Sequence, residues 1–185
     1  MKEIVSELKS QVMILGSLIA IMWGIEILDE SVFRHGLDTF GILPRQPIGL
    51  RGILFAPFLH TSFQHLIANT APFLILGWLV MAQSIADFVT VSLTCMVVGG
   101  LGTWAFGANG LHIGASGVIF GYLGFLLARC YFDRRLSSGA IALFVGATYG
   151  TVLWGVLPST PGISWEGHLF GLLSGVLAAK LVNSK

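Results

Sequence analysis

The residues of this chain best suited to chemistry are Ser116, in the motif Gly114-Ala115-Ser116-Gly117, and His168. Each lies in a glycine-rich apolar segment, and the two segments are well separated in the sequence. Ionisable groups are costly inside a bilayer and usually have a function there. A serine hydroxyl is a weak nucleophile until an adjacent base accepts its proton, which an imidazole can do. The pair therefore predicts a serine hydrolase whose reactive groups lie at membrane depth.

The composition places these segments in a membrane. Of the 185 residues, 55% are hydrophobic and only 10% are charged, whereas a soluble domain carries about 25% charged residues. A spanning helix needs roughly 20 apolar residues. Four long runs contain no Asp, Glu, Lys or Arg: Gly52 to Ala86, Phe88 to Ala128, Leu136 to Trp165 and Gly167 to Ala179. The second run is long enough for two spans, which the turn signal Gly107-Ala108-Asn109-Gly110 separates.

Together with the apolar segment Val12 to Leu28, these runs predict six transmembrane helices in one bundle. Helices are favoured over a barrel because barrel strands would alternate in polarity over about ten residues. The expected fold class is all-α: a polytopic membrane protein with a six-transmembrane-helix bundle and a long membrane-embedded first loop, forming a single domain over residues 1–185. The spans are predicted near 11–29, 62–82, 86–106, 115–132, 138–157 and 166–182.

The first apolar segment could be mistaken for a signal peptide. It is too long for one, lacks a small-residue cleavage pattern and is closed by Glu26, Asp29 and Glu30. We interpret it as a retained first span. Cys95 and Cys130 fall in different spans, so they are expected to be buried apolar groups rather than a disulfide.

The distribution of Lys and Arg predicts that both termini are cytoplasmic. Positive charge accumulates on the cytoplasmic side, and this orientation leaves only Arg34, Arg45 and Arg51 outside. It also puts Ser116 and His168 at the same level, near the outer face. The net charge of +1 does not indicate a nucleic-acid partner. The basic residues on the cytoplasmic side would be Lys2, Lys9, Arg129, Arg134, Arg135, Lys180 and Lys185.

The connection from Ser31 to Thr61 is far longer than the others and too apolar for a solvated loop. Pro44, Pro47 and Pro57 break any continuous helix within it. Such a segment is expected to lie in the interfacial layer as short helices. Two interpretations remain open: the loop is a hydrophobic cap over the bundle, or it frames lateral access to the site.

Small residues recur along one face of the fourth span and one face of the sixth. Such faces let transmembrane backbones approach closely. If the two faces meet, Ser116 and His168 come together at the same depth, although ordinary packing would explain each face by itself. The residues are Gly117, Gly121, Gly124 and Ala128 in the fourth span, and Gly171 and Gly175 in the sixth.

No carboxylate is well placed to complete a triad with His168. Asp87 belongs to the cytoplasmic side, and Glu166 precedes His168 by two residues, which puts it about 200° around a helix. A Ser–His dyad is therefore expected. Ser116 in the first turn of its helix would also present backbone N–H groups to a developing oxyanion.

The second span contributes His65 and Asn69, which share a helix face at i and i+4. Both side chains can donate hydrogen bonds to an oxyanion. His60 and His65 could suggest a metal site, but no Cys, no HExxH motif and no carboxylate partner accompanies them. Neither a metal nor another cofactor is therefore predicted.

Three segments jointly resemble the rhomboid family of intramembrane serine proteases, in order and spacing over nearly the whole chain. They are Phe58-Leu59-His60-Thr61-Ser62-Phe63-Gln64-His65-Leu66-Ile67-Ala68-Asn69, Gly114-Ala115-Ser116-Gly117 and Gly167-His168-Leu169-Phe170-Gly171. The chain looks like the minimal six-span bacterial form, which implies a location in the bacterial cytoplasmic membrane.

The resemblance implies Ser116 as nucleophile and His168 as general base. It implies an oxyanion hole of His65, Asn69 and the Ser116 amide, with Gly114 among the oxyanion and substrate-binding residues. The substrates would be membrane-anchored proteins, cut in or near their spanning segment. His60 matches a histidine that supports the apolar loop.

Two departures from the family pattern stand out. Many members carry a Tyr four residues after the nucleophile, packed on the catalytic imidazole, and this chain has Phe120 there. Ring stacking would survive while the hydroxyl is lost. The family's Trp-Arg doublet in the loop is also missing, with Leu50-Arg51 the nearest equivalent. These differences bear on loop anchoring and rate rather than on the dyad.

Two other classes of function are weighed against a protease. A non-catalytic membrane protein that binds client helices would typically lack the Ser or the His, and both are present. A transporter or channel would need charges at the bilayer midplane, and the central parts of spans three to six have none. The Gly-x-Gly-Asp pattern of aspartyl intramembrane proteases is absent as well.

Overall fold

The computed structural model describes residues 2–158 and 162–183, and over these residues the chain is all-α, as predicted. Its one β feature there is an antiparallel bridge between Ile42 and His112. Six long helical segments follow one another along the chain. They are α1 (Lys2–Leu28, continued by Asp29–Phe33), α2 (Phe63–Met81), α3 (Ile85–Thr94, continued by Cys95–Gly99 and Gly100–Phe106), α4 (Ser116–Asp133), α5 (Leu136–Tyr149, continued by Gly150–Val156) and α6 (Trp165–Asn183).

Four of these segments are long and apolar enough to cross a membrane by themselves. They are Glu3–Phe33, Phe63–Met81, Ile85–Phe106 and Leu136–Val156. The helices α4 and α6 match the other two predicted spans in position, and six membrane crossings stay a prediction. The first helix begins well before residue 11 because Glu, Lys and Leu in residues 2–10 are good helix formers.

Backbone contact between α4 and α6 forms the centre of the bundle. A Cβ atom on Gly171 would overlap the carbonyl oxygen of Gly117, and one on Gly175 would overlap that of Gly121. A Cβ on Gly124 would likewise overlap the carbonyl of Leu172. The two small-residue faces therefore meet, and only glycine permits the observed separation of the helix axes.

The remaining helices surround α4 unequally. Most of α4 is buried, including Tyr122, whose hydroxyl lies 2.8 Å from the Ser92 hydroxyl on α3. By contrast, α5 lies at the periphery and exposes large apolar side chains such as Leu143 and Trp154. An apolar helix exposed in this way fits contact with lipid.

A buried ion-pair cluster ties three helices together at the end of the bundle away from Ser116. The Arg129 guanidinium on α4 donates to Asp87 on α3 at 2.7 Å and to Asp133 at 3.1 Å. Ser138 at the start of α5 donates to the same Asp133 oxygen. A buried charge needs such partners, so this arrangement fixes the ends of α3, α4 and α5.

The loop between α1 and α2 consists of short helical turns, at Leu37–Phe40, Pro47–Arg51, Gly52–Phe55 and Ala56–Phe58. Arg45 anchors it to the end of α3 by donating to the Gly107 carbonyl at 2.7 Å and to the Asn109 side chain at 2.6 Å. Arg51 instead covers the Phe40 ring within the loop. Loop anchoring thus falls to Arg45 rather than to the Leu50-Arg51 pair.

We expect Gly175→Ala to lower the free energy of unfolding by about 1–3 kcal/mol, since its methyl group would force the two central helices apart. Gly16→Ala on α1 is the matched control, because nothing lies within 4 Å of its Cβ position. It should change stability by less than about 1 kcal/mol, and favourably. Unfolding in mixed detergent micelles measures both, and equal losses would contradict the packing argument.

Candidate active site

Ser116 is the first residue of α4, and the chain reaches it through a turn that depends on glycine. Gly114 has φ of +117°, a conformation that other residues rarely adopt. Its N–H donates to the Ala56 carbonyl at 2.9 Å, and the Ala115 N–H points to His60 Nε2 at 3.5 Å. The loop before α2 therefore sets the position of the Ser116 helix start.

His168 lies in the first turn of α6 with a defined ring orientation. Its Nδ1 lies 2.9 Å from the Gly155 carbonyl oxygen. A carbonyl oxygen only accepts, so Nδ1 carries the proton, and Nε2 of the neutral ring is left as an acceptor. The Phe120 ring stacks on the imidazole, with centroids 4.1 Å apart and planes within 7°. The hydrogen bond and the stacking contact fix both the tautomer and the plane of the ring.

Gly155 is a site residue that the sequence analysis missed. A Cβ atom there would lie 2.9 Å from the Phe120 ring and 3.2 Å from His168 Nδ1. Glycine is therefore needed for the backbone of the segment Gly150–Val156 to reach the imidazole. No motif marks this residue, and only the contact between α5 and α6 reveals it.

His65 and Asn69 lie on one face of α2, across from Ser116. The Thr61 hydroxyl lies 3.3 Å from His65 Nδ1, and the other side of the imidazole packs against Gly114. If Thr61 donates to Nδ1, Nε2 carries the proton and is a donor on the side of the ring that packs against Gly114. Asn69 is buried, with its amide donating to the His65 carbonyl at 2.8 Å. One amide hydrogen of Asn69 remains for a ligand.

The structure brings five of the six predicted site residues to one cavity of about 940 Å³. Gly114 lines a smaller adjoining cavity of about 50 Å³, which Ser116 also borders. No hydrogen bond joins Ser116 to His168 in the described part of the chain. Such bonds are often long without substrate and shorten when it binds. The five residues that line the large cavity are His65, Asn69, Ser116, Phe120 and His168.

A second polar network holds the segment before Ser116 against the start of α6. Glu166 is buried and accepts from the Ala108 N–H at 2.9 Å. Ser164 lies 2.5 Å from His112 Nδ1 and accepts from the Gly167 N–H. Within the described residues no carboxylate hydrogen-bonds to His168. Glu166, the acid nearest to His168 in sequence, thus positions the loop at Ala108 instead.

His60 is buried beside His65, with ring centroids 5.1 Å apart. Burial lowers the pKa of His60 to about 4, and the neighbouring His65 acts in the same direction. The ring is therefore neutral at the junction of the loop with Ala115.

We expect the fold to lose stability as the pH falls from about 6.5 towards 4. In that range His60 binds a proton in the unfolded chain but not in the folded one, so acid favours unfolding. The contribution of neutral His60 to the free energy of unfolding is therefore fully present above a pH of about 6.5. Thermal unfolding across this range should show a smaller acid-induced loss for His60→Gln than for the natural chain. Identical pH profiles would contradict the role of His60.

We expect Gly155→Ala to lower the reactivity of Ser116 towards a fluorophosphonate by about 10²-fold, because the methyl group would displace the imidazole. Gly150→Ala in the same segment is the control, since its Cβ position is open. It should react at the natural rate. The measurement is the rate of fluorophosphonate labelling of the two folded variants. Equal rates for Gly155→Ala and Gly150→Ala would contradict a role of Gly155 in the site.

Comparison with known proteins identifies the family. A family model of the Rhomboid domain matches residues 49–185. The uncharacterized protein Rv1337 of Mycobacterium tuberculosis is 40% identical over 177 residues, covering 91% of this chain and 73% of that protein. The uncharacterized protein ML1171 of Mycobacterium leprae is 41% identical over the same length, covering 70% of that protein. YdcA of Bacillus subtilis, provisionally named a rhomboid protease, is 33% identical over 69% of this chain and 64% of its own length.

The family match covers most of the chain, including Ser116, His168 and the helices that carry them. Together with several apolar helices of spanning length, it settles the class of protein. This chain belongs to the rhomboid family and is an integral membrane protein.

Proposed function

We propose that this chain is an intramembrane serine endopeptidase that cleaves transmembrane proteins in or near their spanning segment. One observation carries the proposal: a single cavity is lined by a helix-start serine, an imidazole of defined tautomer and two side-chain donors. An activated serine, a base and an oxyanion site are the parts that acyl transfer requires. Family membership points to the same chemistry.

In the proposed reaction Ser116 Oγ attacks the scissile carbonyl of the substrate. His168 Nε2 accepts the hydroxyl proton while its Nδ1–H stays on the Gly155 carbonyl. The same proton is then given to the leaving amine as the peptide bond breaks, and a water molecule hydrolyses the acyl-enzyme by the reverse roles. The Gly155 carbonyl takes the place that a carboxylate has in a triad, since it orients the ring and stabilises the imidazolium.

The oxyanion of the tetrahedral intermediate is proposed to lie between α2 and the start of α4. His65 Nε2–H, the free amide hydrogen of Asn69 and the Ser116 N–H would converge there. The first N–H groups of a helix have no partner within the helix, and its dipole favours negative charge. Three donors held by packed helices need little reorganisation when the charge develops.

The proposed orientation has both termini in the cytoplasm of a bacterial cell and the cavity near the outer face of the cytoplasmic membrane. Arg129, Arg134 and Arg135 lie at the end of α4 away from Ser116, which agrees with basic residues facing the cytoplasm. Lys185, which supports the same orientation, lies outside the described residues. Membrane-anchored proteins can reach such a site from within the bilayer, so they are the proposed substrates.

A non-catalytic protein that binds client transmembrane helices is the second candidate. The observation in its favour is the size of the cavity, about 940 Å³. In that case the cavity would hold a client helix without cutting it.

Labelling with a fluorophosphonate separates the two candidates. The probe should modify Ser116 in the purified natural chain in detergent, and Ser116→Ala and His168→Ala should lose the label, because only an activated hydroxyl attacks phosphorus at a useful rate. Ser137→Ala, at an exposed position on α5, is the matched control and should label fully. Absence of label on well-folded natural chain, repeated in lipid vesicles, would favour the non-catalytic candidate.

Asn69→Ala should slow cleavage of a single-span reporter protein by up to about 10²-fold, and by less than His168→Ala. Removing one oxyanion donor typically costs about 10²–10³-fold, and here two donors would remain. The effect should fall on kcat rather than KM because the interaction develops only in the transition state. An unchanged kcat would take Asn69 out of the oxyanion hole.

A further inference from the structure

A group of acidic side chains meets one histidine where α1 passes into the first loop, at a distance from the proposed catalytic residues in the sequence. We call this group the α1-end cluster: Glu26, Asp29, Glu30, His35 and Asp38. Ligand atoms of Asp29, His35 and Asp38 all lie within 4.8 Å of one another. His35 Nδ1 is 3.6 Å from Asp38 Oδ2, and its Nε2 is 3.6 Å from Glu30 Oε2. Two turn residues with positive φ, Arg34 and His35, bring the imidazole back over the acids.

Two carboxylate oxygens of the cluster are buried without a hydrogen-bond partner. They are Glu26 Oε1, on a residue that is 1% exposed, and Asp38 Oδ1. The charged groups that act on Glu26 are those of Asp38, Glu30, Asp29 and His35, so its carboxylate belongs to the cluster. Buried polar atoms are nearly always paired, and an orphan among them can mark a bound ion or water. Leaving a carboxylate buried and unpaired is costly.

Among the described residues, the cluster also lacks compensating positive charge. The cluster contains four carboxylates and a single imidazole. Two arginines of the following loop are engaged elsewhere: Arg45 with Gly107 and Asn109, and Arg51 with Thr39 and the Phe40 ring. The third, Arg34, forms no ion pair with the cluster among the described residues, where the ion pairs of the cluster are those of His35. A protonated His35 paired with Glu30 and Asp38 would supply one charge, but it would leave both orphan oxygens unpaired.

We propose that the α1-end cluster binds a divalent transition-metal ion, with Asp29, His35 and Asp38 as ligands and Glu26 as a third carboxylate beside them. Ligands about 2.1 Å from a tetrahedral Zn²⁺ lie about 3.4 Å apart, close to the 3.6 Å between His35 and Asp38. One imidazole among carboxylates suits Zn²⁺ or Mn²⁺ better than Mg²⁺ or Ca²⁺, which prefer oxygen alone.

The ion would join the end of α1 to the turn Leu37–Phe40. That turn leads directly to Ile42, which pairs with His112 four residues before Ser116. The metal would thus stabilise the loop rather than take part in chemistry, and the proposal stands whether or not the chain is a protease. It extends the sequence analysis, which weighed only His60 and His65 as ligands. The spacing of Asp29, His35 and Asp38 matches no recognised metal motif.

The test uses the full chain in detergent, with its affinity tag removed, stripped with a chelator and dialysed. Zn²⁺ and Mn²⁺ binding is measured by calorimetry, and the thermal midpoint is measured with and without each ion. We expect about one ion per chain and a midpoint that rises with ion concentration. His35→Gln should weaken binding at least tenfold, and it should fold because this side chain is half exposed. Glu7→Gln, at an exposed acid on α1, should bind as the natural chain does.

Three outcomes would overturn the proposal. One is no binding of either ion by the natural chain, and another is equal binding by His35→Gln. The third concerns Glu26→Gln. If this variant is more stable than the natural chain while metal leaves both midpoints unchanged, the cluster shares protons and holds no ion. Fluorophosphonate labelling of Ser116 is recorded in parallel, so that failure of the metal site and failure of the proposed protease are distinguished.

Discussion

Direct contact between the backbones of α4 and α6 is the constraint on which the rest of this structure depends. The Gly117 and Gly121 carbonyls lie so close to Gly171 and Gly175 that a methyl group on either of these two α6 glycines would not fit. In lipid, where apolar side chains gain little by leaving their surroundings, such close packing is a main source of helix association. The contact also sets the distance between the helix starts that carry Ser116 and His168. Stability and the geometry of the cavity therefore have one origin.

The two reactive residues are positioned from outside this central pair. The first loop fixes the helix start at Ser116 through backbone and His60 contacts, and α5 fixes the imidazole through the Gly155 carbonyl. Glu166 and Ser164 hold the segment that precedes Ser116. The proposed dyad thus draws on three separate parts of the chain, and in the part that the structure describes no carboxylate hydrogen-bonds to His168. A backbone carbonyl is sufficient to select the tautomer.

The sequence predicted those features that follow from local pattern. Charge-free runs located the helices, and the i, i+4 and i, i+7 spacing of glycines identified the two faces that meet. Contacts made by single residues outside such repeated patterns were not accessible in this way. Gly155 is one glycine among 24, and nothing in its neighbours marks the approach to His168. The Glu166 bond to Ala108 and the gathering of Asp29, His35 and Asp38 likewise depend on turns whose dihedral angles no motif encodes.

The peripheral position of α5 has a consequence for the environment of the protein. Only 6% of the most apolar stretch of α5 is buried inside the bundle, so most of the surface of this helix is exposed to lipid. A helix in this position responds to the thickness of the hydrocarbon layer by tilting. Its last turns carry the Gly155 carbonyl that orients the imidazole. The length of the lipid chains is a property of the membrane and not of the protein. Through the tilt of α5 it thereby affects the orientation of the His168 ring, the proposed base.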